Sequence, residues 1–160
     1  MNTKILLLED LDSFAETIRE GLQSKHKQLG RVEIIRIATE LEFRRRLPEL
    51  ACADFDVAIF DVMVGWCSIE DLDTEAGTKP PQAVDDEREG KAKWRSGVRC
   101  RKLFAEEREK AKSRPVPCLF YTVLDEDNLE GELNGDTPLI VKHGELDPLV
   151  SAILKATGRH

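Results

Sequence analysis

The sequence predicts an α/β fold, a parallel five-stranded sheet with helices on both faces. Two observations carry that expectation. Short runs rich in Val, Ile and Leu recur between stretches of helical spacing, and the runs are almost continuously apolar, as suits strands covered on both sides. At 160 residues, with 41% hydrophobic residues to fill one core, the chain is expected to be a single domain over residues 1–160.

The first run is Ile5 to Leu8. Ser13 followed by Glu16 then matches a capping box, and Phe14, Ile18 and Leu22 give the first helix one apolar face. Val32 to Ile37 is the second strand, after which Thr39 and Glu42 repeat the capping box and Phe43, Leu47 and Leu50 form the inward face. Val57 to Phe60 is the third strand. From Trp66 to Ser96 the rhythm breaks: Gly77, Gly90, Pro80-Pro81 and charges of both signs fill about thirty residues, long for a loop in a compact domain. This insertion is expected to be mobile, to make few core contacts, to border the site carried by the third strand, and to be replaceable by a short Gly/Ser linker without loss of the fold. Val98, Cys100, Leu103 and Phe104 resume a helix that runs on through Glu106 to Lys112. Cys118 to Tyr121 is the fourth strand, Asp125 to Leu133 a short acidic helix, and Leu139 to Val141 the fifth strand. Asp147-Pro148 opens the last helix, with Val150, Ile153 and Leu154 facing inward.

A net charge of -7 repels a phosphate backbone, which argues against direct nucleic-acid binding. No apolar stretch approaches the ~20 residues of a membrane span, and the start MNTKILLLED reaches acidic residues too early for a secretory signal, so a cytoplasmic chain without membrane association is expected. Cys52, Cys67, Cys100 and Cys118 lack the close spacing of zinc or redox motifs and are expected as free thiols, with Cys118 in the core. His26, His143 and His160 are expected at the surface, and Arg44-Arg45-Arg46 on a solvated helix face. Trp66 and Trp94 bracket the insertion, either packing it onto the domain or serving as a partner hot spot.

In an open parallel sheet, ligands gather beyond the carboxyl ends of the strands. Glu9 and Asp10 end the first strand, Asp61 the third, Thr122 the fourth and Lys142 the fifth. Three carboxylates held together repel one another, and a hard divalent cation such as Mg2+ relieves that repulsion. A carboxylate is also a recognised covalent acceptor of a phosphoryl group, for which Thr122 and Lys142 are suitable donors to the phosphate oxygens.

Through KILLLED, AIFDVMV, CLFYT and PLIVK, in that order and over about three quarters of its length, the chain resembles the bacterial response-regulator receiver family. The resemblance implies a flavodoxin-like doubly wound sheet with strand order 2-1-3-4-5. It implies Asp61 as phosphoacceptor, Mg2+ held by Asp10, Asp61 and the backbone carbonyl of Met63 with Glu9 reaching the ion through water, and Thr122 and Lys142 as residues that sense the phosphoryl group. It also implies a sensor histidine kinase or phosphotransfer protein as donor, with output through an unidentified downstream protein or a homodimer.

The sequence departs from the family at four places. Val123 stands where a small residue is usual, Leu139 where an aromatic is common, His143 where a cis proline is favoured, and Gly65 where a proline normally follows the acceptor. These departures support a rival reading, a degenerate receiver that acts as a phosphorylation-independent interaction module. A second rival is a magnesium-dependent phosphohydrolase that forms an aspartyl phosphate. It needs an acid two residues after the nucleophile, and Met63 stands there. A nucleotide-binding role has neither G-x-G-x-x-G nor a P-loop to support it.

Overall fold

A computed structural model describes residues 2–75, 79–90, 94–125, 127–129 and 137–158. The strands β1 (Asn2–Leu8), β2 (Arg31–Ile37), β3 (Val57–Phe60), β4 (Cys118–Thr122) and β5 (Leu139–Val141) form one all-parallel sheet in the order β2-β1-β3-β4-β5. Both the expected strands and their expected order are present. The apolar runs are buried because each face of the sheet packs a separate cluster. On one side Ile5, Leu7, Ile59, Leu119 and Tyr121 meet Ile18 and Leu22 of α1 (Asp12–Ser24). On the other, Leu6, Leu8, Phe60 and Phe120 meet Phe43 and Leu50 of α3 (Glu40–Cys52), which follows the short α2 (His26–Leu29). Phe60 lies at the centre of this second cluster, with ring centroids 6.1 Å from both Phe43 and Phe104 and tilted or edge-on geometry.

The helix starts divide on the quality of their caps. At α3 the Thr39 hydroxyl accepts from the Glu42 amide at 3.1 Å, while the Glu42 carboxylate reaches back to the Ala38 amide at 2.9 Å, one residue beyond the usual reciprocal partner. Ser13 does not cap. The N-cap of α1 is Leu11, two residues ahead of Ser13, in an extended conformation and with no side-chain cap bond. Phe14 is exposed, leaving Ala15, Ile18 and Leu22 as the buried stripe.

The insertion is the largest correction. It carries a 3-10 turn (Ile69–Asp71) and a helix, α4 (Gln82–Arg88), and it packs rather than floats. Trp66 and Val84 are buried with Leu41 in a third apolar cluster, and Glu87 is 4% exposed. A Gly/Ser linker would remove these groups, so the expected tolerance of replacement does not follow. Trp94, in contrast, is exposed. Helix α5 (Ser96–Lys110) begins at the end of the insertion and stops two residues short of the expected Lys112. The expected helix from Asp125 is reduced, among the described residues, to a 3-10 turn (Asp127–Leu129) with Leu129 buried, and its remainder lies outside them. The last helix, α6 (Asp147–Ala156), has Pro148 in its first turn and buries Leu149, Val150 and Ile153, while Leu154 is only partly buried.

All four cysteines are free, and Cys118 is partly rather than fully buried, with burial pushing its thiol up to about 11. His26 and His143 are exposed as expected, and His160 lies outside the described residues. The three arginines of α3 are ion-paired: Arg44 to Glu40, Arg45 to Asp71, and Arg46 to Glu42 and Glu49.

Candidate functional site

Strand register brings the polar residues together. Leu8 pairs with Phe60 across β1 and β3, so Glu9 and Asp61, one residue further along, emerge side by side from the two central strands. The ladder continues past the strand ends. The Asp61 amide donates to the Leu8 carbonyl at 2.9 Å, the Glu9 amide to the Ile37 carbonyl at 3.0 Å, and the Lys142 amide to the Thr122 carbonyl at 2.8 Å.

One carboxylate oxygen from each of Glu9, Asp10 and Asp61 lies within 4.8 Å of the others. Glu9 and Asp61 are 1% and 6% exposed, which makes their charge expensive unless compensated. Lys142 supplies part of that compensation, its Nζ donating at 2.6 Å both to Glu9 Oε2 and to Asp61 Oδ2. Asp10 makes its bond elsewhere, accepting at Oδ2 from the Gly65 amide at 3.2 Å. Asp61 Oδ1 accepts from the Met63 amide at 3.2 Å. Three carboxylates thus face one ammonium, and a divalent cation would bring the cluster to balance.

The protonation equilibria reflect this shortage of positive charge. Burial pushes the Glu9 carboxyl above the usual range, against the pull of Lys142, and burial likewise raises Asp10, with the Gly65 amide opposing and Asp61 adding to the rise. For Lys142 burial acts to lower the ammonium, yet the contacts with Asp61 and Glu9 win and hold it above its ordinary value. Thr122 completes the group. It is fully buried, and among the described residues its Oγ1 has no hydrogen-bond partner. A buried hydroxyl without a partner is costly, and an incoming oxyanion beside Asp61 would satisfy it. The donor set therefore fits a divalent metal and a phosphoryl group together.

Four contributors were not legible from sequence. Arg36, at the end of β2, donates from Nε to the Glu9 carbonyl at 2.9 Å and from Nη2 to the Asp10 carbonyl at 3.0 Å, fixing the turn that carries both carboxylates. A lone arginine inside the apolar run Val32–Ile37 was the only hint. Gly65 holds Asp10 through its amide. Gly97 lies so close to Asp61 that an added Cβ would meet its carbonyl oxygen at 1.9 Å. The Phe14 ring lies 4.9 Å from the Lys142 ammonium, and the exposure that removed it from the core places it at the rim of the site.

The family departures are also located. Val123 is 56% exposed and His143 is exposed, Leu139 packs partly against the second core cluster, and the Lys142–His143 bond is trans. A groove of about 680 Å³ lined by Arg101, Phe104, Arg108 and Cys118 lies at the opposite, amino-terminal end of β4 and takes no part in this cluster.

No protein-family model and no curated protein matches the chain. Among solved structures it resembles the BeF3-activated receiver domain of DrrB (20% identity, 99% of this chain and 100% of that one, TM-score 0.57). It also resembles the response regulator TrrA of Thermotoga maritima, solved in complex with Mg(2+)-BeF (17% identity, 96% and 98%, TM-score 0.59). A third match is the non-phosphorylated HemR receiver domain of Leptospira biflexa (16% identity, 99% and 96%, TM-score 0.57). The chain has the receiver fold over nearly its whole length.

Proposed function

We propose that this chain is a response regulator that accepts a phosphoryl group on Asp61 with Mg2+ bound beside it, and that it signals through protein–protein contacts. The observation that carries the reading is the convergence of Glu9, Asp10 and Asp61 within 4.8 Å, with Lys142 on two of them and the Thr122 hydroxyl unsatisfied alongside. Asp10, Asp61 and the Met63 carbonyl would hold the ion directly, with Glu9 reaching it through water. Bound there, the ion would neutralise phosphate oxygens as they approach.

In the transfer, a carboxylate oxygen of Asp61 attacks phosphorus of a phosphohistidine on a sensor kinase or phosphotransfer protein. The N–P bond breaks, its electron pair returns to the imidazole, which takes up a proton, and an O–P acyl phosphate forms on Asp61. Lys142 then exchanges its bond to Asp61 for one to a phosphoryl oxygen, and Thr122 donates the hydroxyl that has no other partner. With Met63 two residues beyond the acceptor, no acid is supplied to drive turnover, so slow loss of the acyl phosphate is expected instead of esterase activity.

Leu11, Phe14, Met63 and Val123 are exposed next to the polar group, an apolar rim suited to the helical surface of a donor protein. The output partner is a further protein or a second copy of the chain, acting in the cytoplasm. Among the described residues no helix is long and apolar enough to cross a membrane. Intact-mass measurement after acetyl phosphate or phosphoramidate, with and without Mg2+, tests the reading. One added phosphoryl group that depends on Mg2+ is expected. A chain that folds and binds partners yet takes no phosphoryl group would be the degenerate interaction module.

Lys142→Met tests the charge balance. Lys142, Glu9 and Asp61 have side chains 4%, 1% and 9% exposed, so removing the ammonium leaves buried carboxylates without their cation. Without divalent ions the variant should lose about 3–5 kcal/mol, a fall in Tm of roughly 10 °C for a domain of this size. Mg2+ should raise its Tm by more than it raises the parent's. An equal Mg2+ response in both proteins would place the ion elsewhere.

A further inference from the structure

We propose that Arg99, with Glu40 and Glu87, is a positioning residue for the acceptor loop, so that the 66–96 insertion sets how tightly the phosphorylation site holds Mg2+. The inference rests on the phosphoacceptor reading above. Residues 61–66 run between the starts of α3 and α5, and each start grips them. The Gly97 amide donates to the Val62 carbonyl at 3.0 Å, the Glu40 amide to the Gly65 carbonyl at 3.1 Å, and the Leu41 amide to the Trp66 carbonyl at 2.8 Å. Gly65 passes this on to the site, because the other side of the same residue holds Asp10 Oδ2 through its amide.

What fixes the two helix starts relative to each other is Arg99. Its Nη2 donates to Glu40 Oε2 at 2.7 Å, to Ser96 Oγ at 3.0 Å and to Glu87 Oε2 at 3.2 Å, while Nε donates to both Glu40 oxygens and Nη1 pairs with Glu87. Glu40 belongs to α3, Arg99 to α5 and Glu87 to the insertion helix α4, so one guanidinium joins three elements. Glu87 Oε1 also accepts from the Arg95 amide at 3.0 Å, just before α5 begins. Glu40 is fully buried and Glu87 nearly so. Such a cluster is a poor source of net stability compared with apolar packing, but its fork-shaped, directional bonds define geometry. The geometry defined here is that of the loop carrying Asp61, Met63 and Gly65. A group one bond removed from a metal ligand commonly tunes affinity by an order of magnitude or more.

The test uses the full chain with Arg99→Lys, which keeps the charge but replaces the planar five-donor fork that engages Glu40, Glu87 and Ser96 together with a single point charge, and Glu87→Gln, which keeps a hydrogen-bonding group but not the charge. Mg2+ affinity and the initial rate of phosphorylation by acetyl phosphate are read on protein shown to be folded by circular dichroism. Arg99→Lys should lose about tenfold in Mg2+ affinity and in rate at low Mg2+, with the rate restored at saturating Mg2+. Glu87→Gln should move both in the same direction by less. A purely structural role would lower Tm without that Mg2+-dependent split, and folded variants with the parent's affinity and rate would overturn the inference while leaving Asp61 as acceptor. If Arg99→Lys does not fold, Glu87→Gln decides alone. A parent chain that takes no phosphoryl group would overturn both readings together.

Discussion

Asp61→Asn is expected to abolish the phosphoryl adduct altogether while leaving the protein folded. The amide nitrogen and carbonyl of asparagine are poor nucleophiles, and Asp61 is the less buried of the two carboxylates held by Lys142, at 6% exposure against 1% for Glu9. Asp61 accepts from Lys142 on one oxygen and from the Met63 amide on the other, at the end of the central strand β3. Glu9 makes a similar pair of contacts, with Lys142 and with the Leu11 amide at 3.1 Å, but lies deeper and is less open to an incoming phosphoryl group, and Asp10 is tied to Gly65. The substitution removes one of three negative charges around a single ammonium, so the Lys142–Glu9 pair survives and stability should change little. Intact mass after acetyl phosphate and Mg2+ should therefore show one added phosphoryl group in the parent and none in the variant. An adduct formed at full yield in Asp61→Asn would remove Asp61 from the role and direct attention to Glu9 and Asp10.

The polar group was legible because it depends on one regularity. Each of its members sits at the carboxyl end of an apolar run, and parallel strands in register bring such ends together. Glu9, Asp61, Thr122 and Lys142 could be placed from the runs alone, and the five strands followed from the same pattern. What the pattern could not convey was depth. Thr122 reads as a residue finishing a strand, and only its burial and its unpartnered hydroxyl mark it as a donor in waiting.

The packing of the insertion is hidden in the sequence for a related reason. Its glycines, prolines and mixed charges read as solvated chain, because charge normally signals exposure. Here Glu87 and Glu40 both pair with Arg99, from 12 and 59 residues away, so the compensation that allows their burial is non-local. Trp66 and Val84 are too few to form a periodic stripe, and their partner Leu41 is on a different helix. The role of Arg36 is hidden in the same way, since its acceptors are main-chain carbonyls, which have no sequence signature. Phe14 fits the helical spacing of Ile18 and Leu22, but it lies in the first turn of α1, where its ring meets the Lys142 ammonium at 4.9 Å and stays exposed.

Gly97→Ala is expected to damage stability and phosphorylation together, because this glycine is the contact between α5 and Asp61, the proposed acceptor. An added Cβ would lie 1.9 Å from the Asp61 carbonyl oxygen, 2.6 Å from its carbon and 2.8 Å from Val62 Cα. All three are backbone atoms at the end of a central strand, so no side-chain rotation can relieve the overlap. The first turn of α5 must move away, stretching the Gly97–Val62 hydrogen bond and straining the Arg99 contacts that begin two residues later. Overpacking of this kind costs roughly 1–3 kcal/mol, and more where backbone meets backbone. Replacing a helical glycine by alanine returns about 1 kcal/mol through helix propensity, which offsets only part of the loss. A net fall of about 2 kcal/mol would lower Tm by roughly 4–8 °C. The kinetic effect should be larger than the thermodynamic one. Displacement of the Asp61 backbone shifts its carboxylate relative to Lys142 and Thr122, and a misplacement near 1 Å costs on the order of 100-fold in rate. Thermal melts and the initial rate of adduct formation from acetyl phosphate would measure the two effects separately. A variant with the parent's Tm and rate would mean that α5 does not rest on Asp61 in solution, and would remove the physical basis for coupling the insertion to the site.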